Sequence, residues 1–346
     1  MSTVYVGLSG GVDSSVVASL LRDAGYRVVG VYMKNWSKNL PGFECPWRED
    51  YQDAKRVAVQ LGIEFKMFDF EKQYFQRVVQ YMIDEYKLGY TPNPDIMCNQ
   101  EIKFKLFLDM SLEQGADFVA TGHYARVKNG QLYTAKDQTK DQTYFLYRVT
   151  NKALDKTLFP LGEYLKTEVR QIASEKQLVT ASKKESMGIC FVGKVGIKDF
   201  LNQYVDTKPG PILDQFGIEI GQHDGAIFYT IGQRHGLNVG GGLPYYVVDK
   251  DLTKNIVYVS TKIDDSRLWV QDFSLKNTHW LAGQPKSSKK YQVRLRHRGP
   301  LLGGHIQLKG EVKVLLDNSA KAINTGQSAV VYDGDHLVGG GIIVTN

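Results

Sequence analysis

The chain has 346 residues, of which 42% are hydrophobic and 23% charged, as expected for a globular protein of about two or three domains. This composition excludes a disordered chain, a collagen and a coiled coil, and no apolar run approaches the ~18 residues of a membrane-spanning helix. Three cysteines are too few for a disulfide scaffold, and the opening MSTVYVGLSGG lacks the basic stretch and cleavage site of a signal peptide. We therefore expect a cytoplasmic protein without a membrane partner.

Strand and helix patterns alternate along the first third of the chain. Short β-branched runs predict strands over residues 3–8, 27–33, 64–70 and 117–121. Apolar residues at helical spacing predict helices over residues 14–24, 50–61, 73–86 and 101–114. This alternation predicts an α/β fold with a doubly wound parallel sheet, whose ligands bind at the carboxyl ends of the strands.

The pattern changes at Pro209-Gly210-Pro211, which we interpret as a linker. Beyond it, β-rich segments are separated by Gly, Asp and Asn at residues 226–231, 245–249, 256–260, 291–298, 311–316, 328–332 and 337–344. We predict a catalytic α/β domain over residues 1–208, a small, mostly β central domain over 209–267, and a C-terminal β-barrel over 268–346.

A glycine-rich segment, SGGVDSS at residues 9–15, follows the first predicted strand and opens the first predicted helix. Gly10 and Gly11 allow close approach of the backbone to a ligand, and the N–H groups of the loop and first helical turn suit a phosphate. We interpret Asp13 either as a helix N-cap or as a ligand of a magnesium ion. The absence of Gly-Lys-Ser/Thr excludes a Walker A loop, and a simple capped glycine turn is the alternative.

A second segment, TPNPDIMCN at residues 91–99, contains two prolines that predict an extended turn. The turn places Cys98 at the N-terminus of the following helix, which predicts a lowered thiol pKa. Asp95 is a candidate general base or substrate-positioning residue. The alternative for Cys98 is a buried structural cysteine.

The third segment is GICFVG at residues 188–193, which contains Cys190. Its glycines predict a turn or mobile loop, and Lys183, Lys184 and Lys194 favour a thiolate, although a core strand is an alternative. We interpret the remaining cysteine, Cys45, as incidental.

The net charge is +6, from 43 basic and 37 acidic residues. Residues 286–298 contain no acid and six basic residues, which are Lys286, Lys289, Lys290, Arg294, Arg296 and Arg298. This basic stripe is a candidate phosphate-contacting surface, with a solvated strand face as the alternative.

SGGVDSS resembles the pyrophosphate loop of the ATP-pyrophosphatases, which adenylate a substrate with ATP and release pyrophosphate. The joint presence of Pro-Asn-Pro-Asp-x-x-Cys at 92–98 and Gly-x-Cys-Phe at 188–191 is similar to the tRNA-specific 2-thiouridylases. The resemblance extends along the chain through MKNW at 33–36, ATGHYA at 120–125, KDQTYFLY at 140–147, FPLG at 159–162, TIGQRHG at 230–236, YYVVDKD at 245–251 and TGQSAVVY at 325–332.

The resemblance implies that ATP, with Mg²⁺, activates C2 of the wobble uridine in tRNAs of the Lys, Glu and Gln type. It implies ATP contacts from Gly7, Leu8, Ser9, Gly10, Gly11, Val12, Asp13, Ser14, Met33 and Gly122. It also implies a catalytic set in which Cys190 carries a persulfide delivered by a sulfur-carrier protein, and Asp95 assists. Cys98 then attacks either the persulfide or C2, and both routes end in a Cys98–Cys190 disulfide.

The resemblance further implies tRNA contacts from Asn93, Pro94, Asp95, His123, Lys140, Asp141, Gln142, Arg296, His297 and Gln327, and no resident metal. The chain departs from the family pattern at His297, where an aromatic residue is usual, and at Glu185 and Met187. Iron–sulfur thiolases are disfavoured because Cys-x-x-Cys is absent. Two alternatives remain, another ATP-pyrophosphatase such as an amidotransferase or ligase, and a non-catalytic RNA-binding protein that retains ATP.

Overall fold

The computed structural model describes residues 1–39, 44–184, 196–237, 239–240 and 242–345, which form three sheets. The strands of the N-terminal part are β1 (Thr3–Gly7), β2 (Arg27–Lys34), β3 (Glu64–Asp69), β4 (Phe118–Ala120), β5 (Arg126–Lys128), β6 (Gln131–Tyr133) and β7 (Thr157–Leu158). Five of them build a parallel sheet in the order β3-β2-β1-β4-β7.

The α-helices of the described residues belong to this part and to the segment that follows it. They are α1 (Val12–Asp23), α2 (Trp47–Leu61), α3 (Glu71–Tyr74), α4 (Gln80–Lys87), α5 (Pro94–Met97), α6 (Leu108–Glu113), α7 (Asn151–Leu154), α8 (Lys166–Glu175) and α9 (Ile197–Leu201). Two π-helical stretches, Phe75–Val79 and Cys98–Phe107, join α3 to α4 and α5 to α6. Short 3-10 turns lie at Thr143–Phe145, Pro160–Glu163, Ala226–Phe228 and Ser266–Leu268.

The parallel sheet is covered on both faces, as the alternating pattern predicts. Val4 and Val6 of β1 pack with α1, α2 and α8, whereas Tyr5 between them packs with the helices of residues 71–113. Successive side chains of a strand point to opposite faces, so each face of the sheet has its own core. The predicted doubly wound α/β fold is confirmed.

The central part is a four-stranded sheet in the order β10-β11-β8-β9. Its strands are β8 (Gly210–Leu213), β9 (Glu219–His223), β10 (Tyr246–Asp251) and β11 (Ile256–Ser260). The strand predicted at residues 226–231 is wrong, because the chain forms a 3-10 turn there. The N–H groups of Gly225 and Ala226 donate to the His223 ring and the Asn255 side chain, and so are not used for strand pairing.

The C-terminal part is a closed six-stranded barrel, as predicted. Its strands are β12 (Trp269–Trp280), β13 (Lys290–Arg294), β14 (Leu302–Gln307), β15 (Val312–Lys321), β16 (Ser328–Asp333) and β17 (His336–Val344). They run in the order β12-β15-β14-β13-β16-β17, and β17 pairs with β12 to close the ring. A Cβ on Gly340 would lie 2.4 Å from the Ala329 carbonyl oxygen, so glycine allows β17 to fit against β16.

The barrel is attached directly to the N-terminal part. The hairpin of β5 and β6 extends the barrel sheet through the pairing of Tyr133 with His336. Two fully buried tyrosines that follow it, Tyr144 and Tyr147, donate or accept hydrogen bonds at Ser328 of β16. Among the described residues, no helix is both long and apolar enough to span a membrane.

Candidate functional site

The glycine-rich loop connects the carboxyl end of β1 to the start of α1. Gly10 has φ +74°, and a Cβ there would lie 2.4 Å from the Asp50 carbonyl oxygen, so both the backbone conformation and the neighbouring chain require glycine. The Ser14 and Ser15 hydroxyls donate to the Gly11 carbonyl, and the Ser9 N–H donates to Ser14 Oγ at 3.2 Å. Hydrogen bonds within residues 9–15 therefore fix the shape of the loop, and helix α1 begins directly at its end.

Two residues predicted to flank the nucleotide lie against this loop. A Cβ on Gly7 would lie 2.9 Å from Met33 Cε, and a Cβ on Gly122 would lie 3.1 Å from both Asp13 Cβ and the Ser14 nitrogen. The structure therefore brings together the ends of β1, β2 and β4 around the predicted ATP contacts of residues 7–14.

Asp13 is not the helix N-cap that the sequence suggested as one possibility. Gly11 occupies the cap position without a side-chain bond, and Asp13 lies inside the first turn of α1. Its carboxylate accepts hydrogen bonds from Lys166 Nζ at 2.7 and 2.9 Å and from the Tyr124 hydroxyl at 3.0 Å. Lys166, the first residue of α8, was missed by the sequence analysis, because no local spacing relates it to Asp13.

Cys98 is buried rather than placed at a helix N-terminus. Helix α5 begins at Pro94, with Asn93 before it, so Cys98 lies one turn inside the helical segment and is 8% exposed. Burial raises the pKa of the Cys98 thiol, the Lys103 ammonium lowers it and the Asp95 carboxylate raises it. The predicted lowering of the thiol pKa is wrong, because desolvation of the thiolate outweighs the nearby positive charge.

Lys103 connects Cys98 to the end of β4. Its ammonium donates to His123 Nε2 at 3.5 Å, so the His123 Nδ1–H donates to Thr121 Oγ1 at 2.7 Å. Burial first and Lys103 second hold the pKa of His123 well below its ordinary value, which keeps the ring neutral. Burial also raises the pKa of Asp95, against the effect of Lys103. The sequence analysis did not single out Lys103, although its position one π-helical turn after Cys98 was a usable indication.

Cys190 lies outside the described residues, so its predicted role stays a prediction. Lys183, near the end of the described range before it, is held by helix α2, because Lys183 Nζ lies 2.8 Å from Asp50 Oδ1 and 2.6 Å from Asp53 Oδ2. The Cys45 thiol is buried 3.7 Å from the Trp36 carbonyl oxygen, and burial raises its pKa.

The barrel contributes the other predicted contacts. Exposed Arg296 and half-buried Gln327 line a cleft of about 530 Å³ together with Thr230 and Gln233 of the central part. Gln327 Nε2 also donates to the Thr91 carbonyl at 2.9 Å, which joins the barrel to the segment of Cys98.

Burial, followed by two neighbouring arginines, lowers the pKa of His297 to about 4. The centroid of the His297 ring lies 4.4 Å from the centroid of the Phe145 ring. An aromatic side chain of the protein itself therefore packs against His297.

The three residues of the motif at 140–142 differ in burial and in hydrogen-bond partners. Lys140 is half-buried, and Gln142 accepts a hydrogen bond from the Tyr124 N–H at 3.0 Å. The Asp141 carboxylate is fully buried and accepts hydrogen bonds from Arg294 at 2.9 Å and from Thr143 at 2.8 Å. This placement contradicts a direct tRNA contact by Asp141, because both of its carboxylate oxygens accept hydrogen bonds inside the protein.

The basic stripe is only partly available to a ligand. Lys289 pairs with Asp333, Lys290 Nζ lies 2.6 Å from Asp317, and Arg294 is buried against Asp141. Acids from other parts of the chain therefore neutralise three of the six cations of the predicted basic stripe. Within residues 286–298, all of which belong to the described part of the chain, Lys286, Arg296 and Arg298 are exposed and form no ion pair.

The described residues contain no cluster of three or more His, Cys, Asp and Glu side chains that suits a metal ion. Two carboxylates belong to the surroundings of the glycine-rich loop, Asp13, which is paired with Lys166, and Asp50, which is paired with Lys183.

The parallel sheet and its glycine-rich loop define a HUP domain followed by two β domains. The family described as tRNA methyl transferase HUP domain matches residues 2–194, the PRC-barrel domain of the same group matches 198–261, and an aminomethyltransferase beta-barrel domain matches 270–343.

Relatives that match nearly the whole chain identify the family within this class of proteins more closely. The chain is 45% identical to the tRNA-specific 2-thiouridylase MnmA of Bacillus subtilis, over 98% of this chain and 94% of the relative. It is 47% identical to the protein of that name from Lacticaseibacillus paracasei, over 98% and 93%, and 46% identical to that of Streptococcus sanguinis, over 98% and 94%. The chain belongs to the tRNA-specific 2-thiouridylase family.

Proposed function

We propose that this protein is an ATP-dependent tRNA-uridine 2-sulfurtransferase that acts on the wobble uridine of tRNAs of the Lys, Glu and Gln type, in the cytoplasm. The observation that carries the proposal is a series of neighbouring residues that leads from the glycine-rich loop towards a buried thiol. Asp13 packs on Gly122, His123 follows it, and Lys103 links His123 to the surroundings of Cys98. The predicted ATP contacts and the candidate nucleophilic sulfur are thus related through His123 and Lys103.

The first step activates the base. The uridine C2 oxygen attacks the α-phosphorus of ATP, the bond to the β-phosphate oxygen breaks, and pyrophosphate leaves with its Mg²⁺. Backbone N–H groups of the loop and Lys166 bind the departing negative charge. Asn93 and Asp95 hold the uracil after it leaves the anticodon stack.

The second step replaces the adenylate with sulfur. A sulfur-carrier protein of the persulfide-donating class charges Cys190, and the outer sulfur forms the bond to C2 while AMP leaves. Cys98 breaks the persulfide S–S bond by attack on the inner sulfur, either before or after that bond forms. In both orders a Cys98–Cys190 disulfide results, and an external thiol reductant restores the two cysteines.

A thiolation assay tests the proposal. The full chain is incubated with ATP, Mg²⁺, a persulfide donor, a thiol reductant and unmodified tRNA, and digested tRNA is analysed by mass spectrometry. We expect 2-thiouridine that depends on ATP, together with AMP and pyrophosphate. ATP cleavage without a thiolated product, even with a persulfide donor, would favour another ATP-pyrophosphatase, and tRNA binding without turnover of ATP would favour an RNA-binding protein.

Lys166→Met is expected to raise the KM for ATP or lower the rate of adenylation by about 10²-fold, because one charge-assisted contact to the phosphates is lost. Lys166→Arg should restore part of the activity. Kinetics of AMP release measure both effects.

Helices α1 and α8, which carry Asp13 and Lys166, also provide a matched control. At their opposite ends Lys176 forms an exposed ion pair with Asp23. Lys176→Met should leave ATP kinetics within about twofold of the unmodified protein, because exposed pairs contribute little. Equal effects of Lys166→Met and Lys176→Met would contradict a phosphate-binding role for Lys166.

The affinity for tRNA is expected to fall steeply with salt, because cationic side chains displace counterions from phosphates. Arg296→Gln should reduce the slope of log K against log salt by about 0.7–0.9, the amount for one phosphate contact. Lys289→Gln is the control, since Lys289 is already paired with Asp333. Fluorescence titrations at several salt concentrations measure the slopes, and an unchanged slope for Arg296→Gln would remove this residue from the RNA surface.

A further inference from the structure

Residues 178–184, which follow helix α8, are attached to the glycine-rich loop by a buried hydrogen bond. The Thr180 hydroxyl donates to Ser15 Oγ at 2.9 Å, and Ser15 Oγ donates to the Gly11 carbonyl at 2.8 Å. Thr180 and Ser15 are each only 1% exposed, so these hydrogen bonds are shielded from water. The conformation of the loop at Gly11 therefore depends on a residue 165 positions away from Ser15 in the chain.

A second attachment is an ion pair beside Gly10. Lys183 Nζ lies 2.8 Å from Asp50 Oδ1 and 2.6 Å from Asp53 Oδ2, and none of these three side chains is more than 29% exposed. The backbone of Asp50 lies directly against the loop, because a Cβ on Gly10 would be 2.4 Å from the Asp50 carbonyl oxygen and 3.0 Å from Asp50 Cα. Lys183 thus neutralises carboxylates of α2 that lie next to the loop predicted to bind the ATP phosphates.

Helix α8 provides a third attachment. Arg170 Nη1 donates to the carbonyl oxygens of Ala181 at 2.9 Å and Lys183 at 2.8 Å. The first residue of the same helix, Lys166, binds Asp13. The stretch is therefore joined to α1, α2 and α8, which together cover one face of the parallel sheet.

We propose that Thr180 and Lys183 are positioning residues that couple ATP binding at the glycine-rich loop to the docking of residues 178–184. This proposal rests on the proposed function and adds that ATP stabilises the stretch of chain that precedes Cys190 in the sequence. Such coupling is reciprocal, so a docked stretch that favours the ATP-binding shape of the loop is itself stabilised by ATP. Loss of the Thr180 hydroxyl frees the side chain of Ser15, and loss of Lys183 leaves two carboxylates near the triphosphate without their counter-charge.

Hydrogen–deuterium exchange of the full chain, with and without ATP and Mg²⁺, tests the coupling. The N–H groups of Ala181 and Lys183 donate to the Leu178 and Thr180 carbonyls at 2.9 and 3.0 Å, so their exchange reports on the stretch. We expect ATP to slow exchange in a peptide that covers residues 178–184 by about fivefold or more, with no change in β15 of the barrel. ATP that binds without slowing this exchange would overturn the proposal and leave the proposed function intact. Slower exchange would support the proposal whatever reaction the protein proves to catalyse.

Thr180→Val and Lys183→Met test the two attachments separately. Each is expected to weaken ATP binding about tenfold in calorimetric titrations and to diminish the effect of ATP on exchange. Arg56→Met is the matched control, because Arg56 pairs with the same Asp53 at 3.1 Å but is 67% exposed. Its ATP affinity should stay within about twofold of that of the unmodified protein. If Thr180→Val and Lys183→Met lowered the melting temperature but bound ATP as tightly as Arg56→Met, both residues would only stabilise the fold, and the proposal would be overturned.

Discussion

Cys98→Ser is expected to abolish formation of 2-thiouridine, with a loss of at least about 10³-fold, because a serine hydroxyl neither attacks a persulfide nor closes a disulfide. The replacement is nearly isosteric, and the side chain is buried, so the fold should be retained. Binding of ATP and tRNA should change little, since their predicted contacts lie on other residues. Mass spectrometry of the tRNA and titrations with both ligands separate these effects.

Cys45→Ser is the control for this experiment. Both thiols are buried, and burial raises the pKa of each, yet Cys45 contacts the Trp36 carbonyl rather than the segment of Asp95. We expect Cys45→Ser to retain most of the activity. Substantial thiolation by Cys98→Ser would exclude a two-cysteine reaction, whereas a complete loss in Cys45→Ser would show that a third thiol is needed.

The raised thiol pKa of Cys98 has a consequence for its reactivity. The apo protein holds Cys98 as a neutral thiol at neutral pH, because burial disfavours the thiolate. Lys103 is the group that opposes this effect, and it reaches His123 at the same time. The proposed reaction therefore depends on the positive charge of Lys103, which lies in the same helical segment as Cys98. It does not depend on stabilisation of the thiolate by a helix N-terminus.

Arg294→Met is expected to destabilise the protein by about 3–5 kcal/mol, since it leaves the Asp141 carboxylate buried without its counter-charge. Both side chains are well shielded, with 10% of Arg294 and 0% of Asp141 exposed. The pair joins the N-terminal part to the barrel, two residues before Arg296, so tRNA affinity should fall together with stability. Equilibrium denaturation and tRNA titration measure the two effects.

A double-mutant cycle distinguishes the pair from its surroundings. Asp141→Asn removes the charge but retains an acceptor for the Ala135 N–H. Combined with Arg294→Met, it should cost clearly less than the sum of the two single changes, because no unpaired charge is then buried. Strict additivity of the two changes would contradict a stabilising role for the buried Arg294–Asp141 ion pair. So would a loss of stability below about 1 kcal/mol in each single variant, which is typical of exposed ion pairs.

Local patterns predicted those features that depend on neighbours in sequence. Alternating strands and helices identified the doubly wound sheet, and SGGVDSS identified the loop between β1 and α1. The motif at residues 91–99 identified Cys98 as a residue of interest. The β-rich pattern after residue 209 indicated the barrel, although it predicted a strand where residues 226–228 form a 3-10 turn.

The sequence by itself determined the fold class, the glycine-rich loop between β1 and α1 and the family, because periodicity, glycine positions and motif spacing are local properties. The tertiary structure alone decided the protonation and partners of the candidate site. Lys166 meets Asp13 and Arg294 meets Asp141 across 153 positions of chain in each case. Burial inverted the pKa expected for Cys98 and turned Asp141 from a surface residue into an internal anchor. Desolvation and long-range ion pairs depend on which distant segments pack together, and no local pattern of residues contains that information.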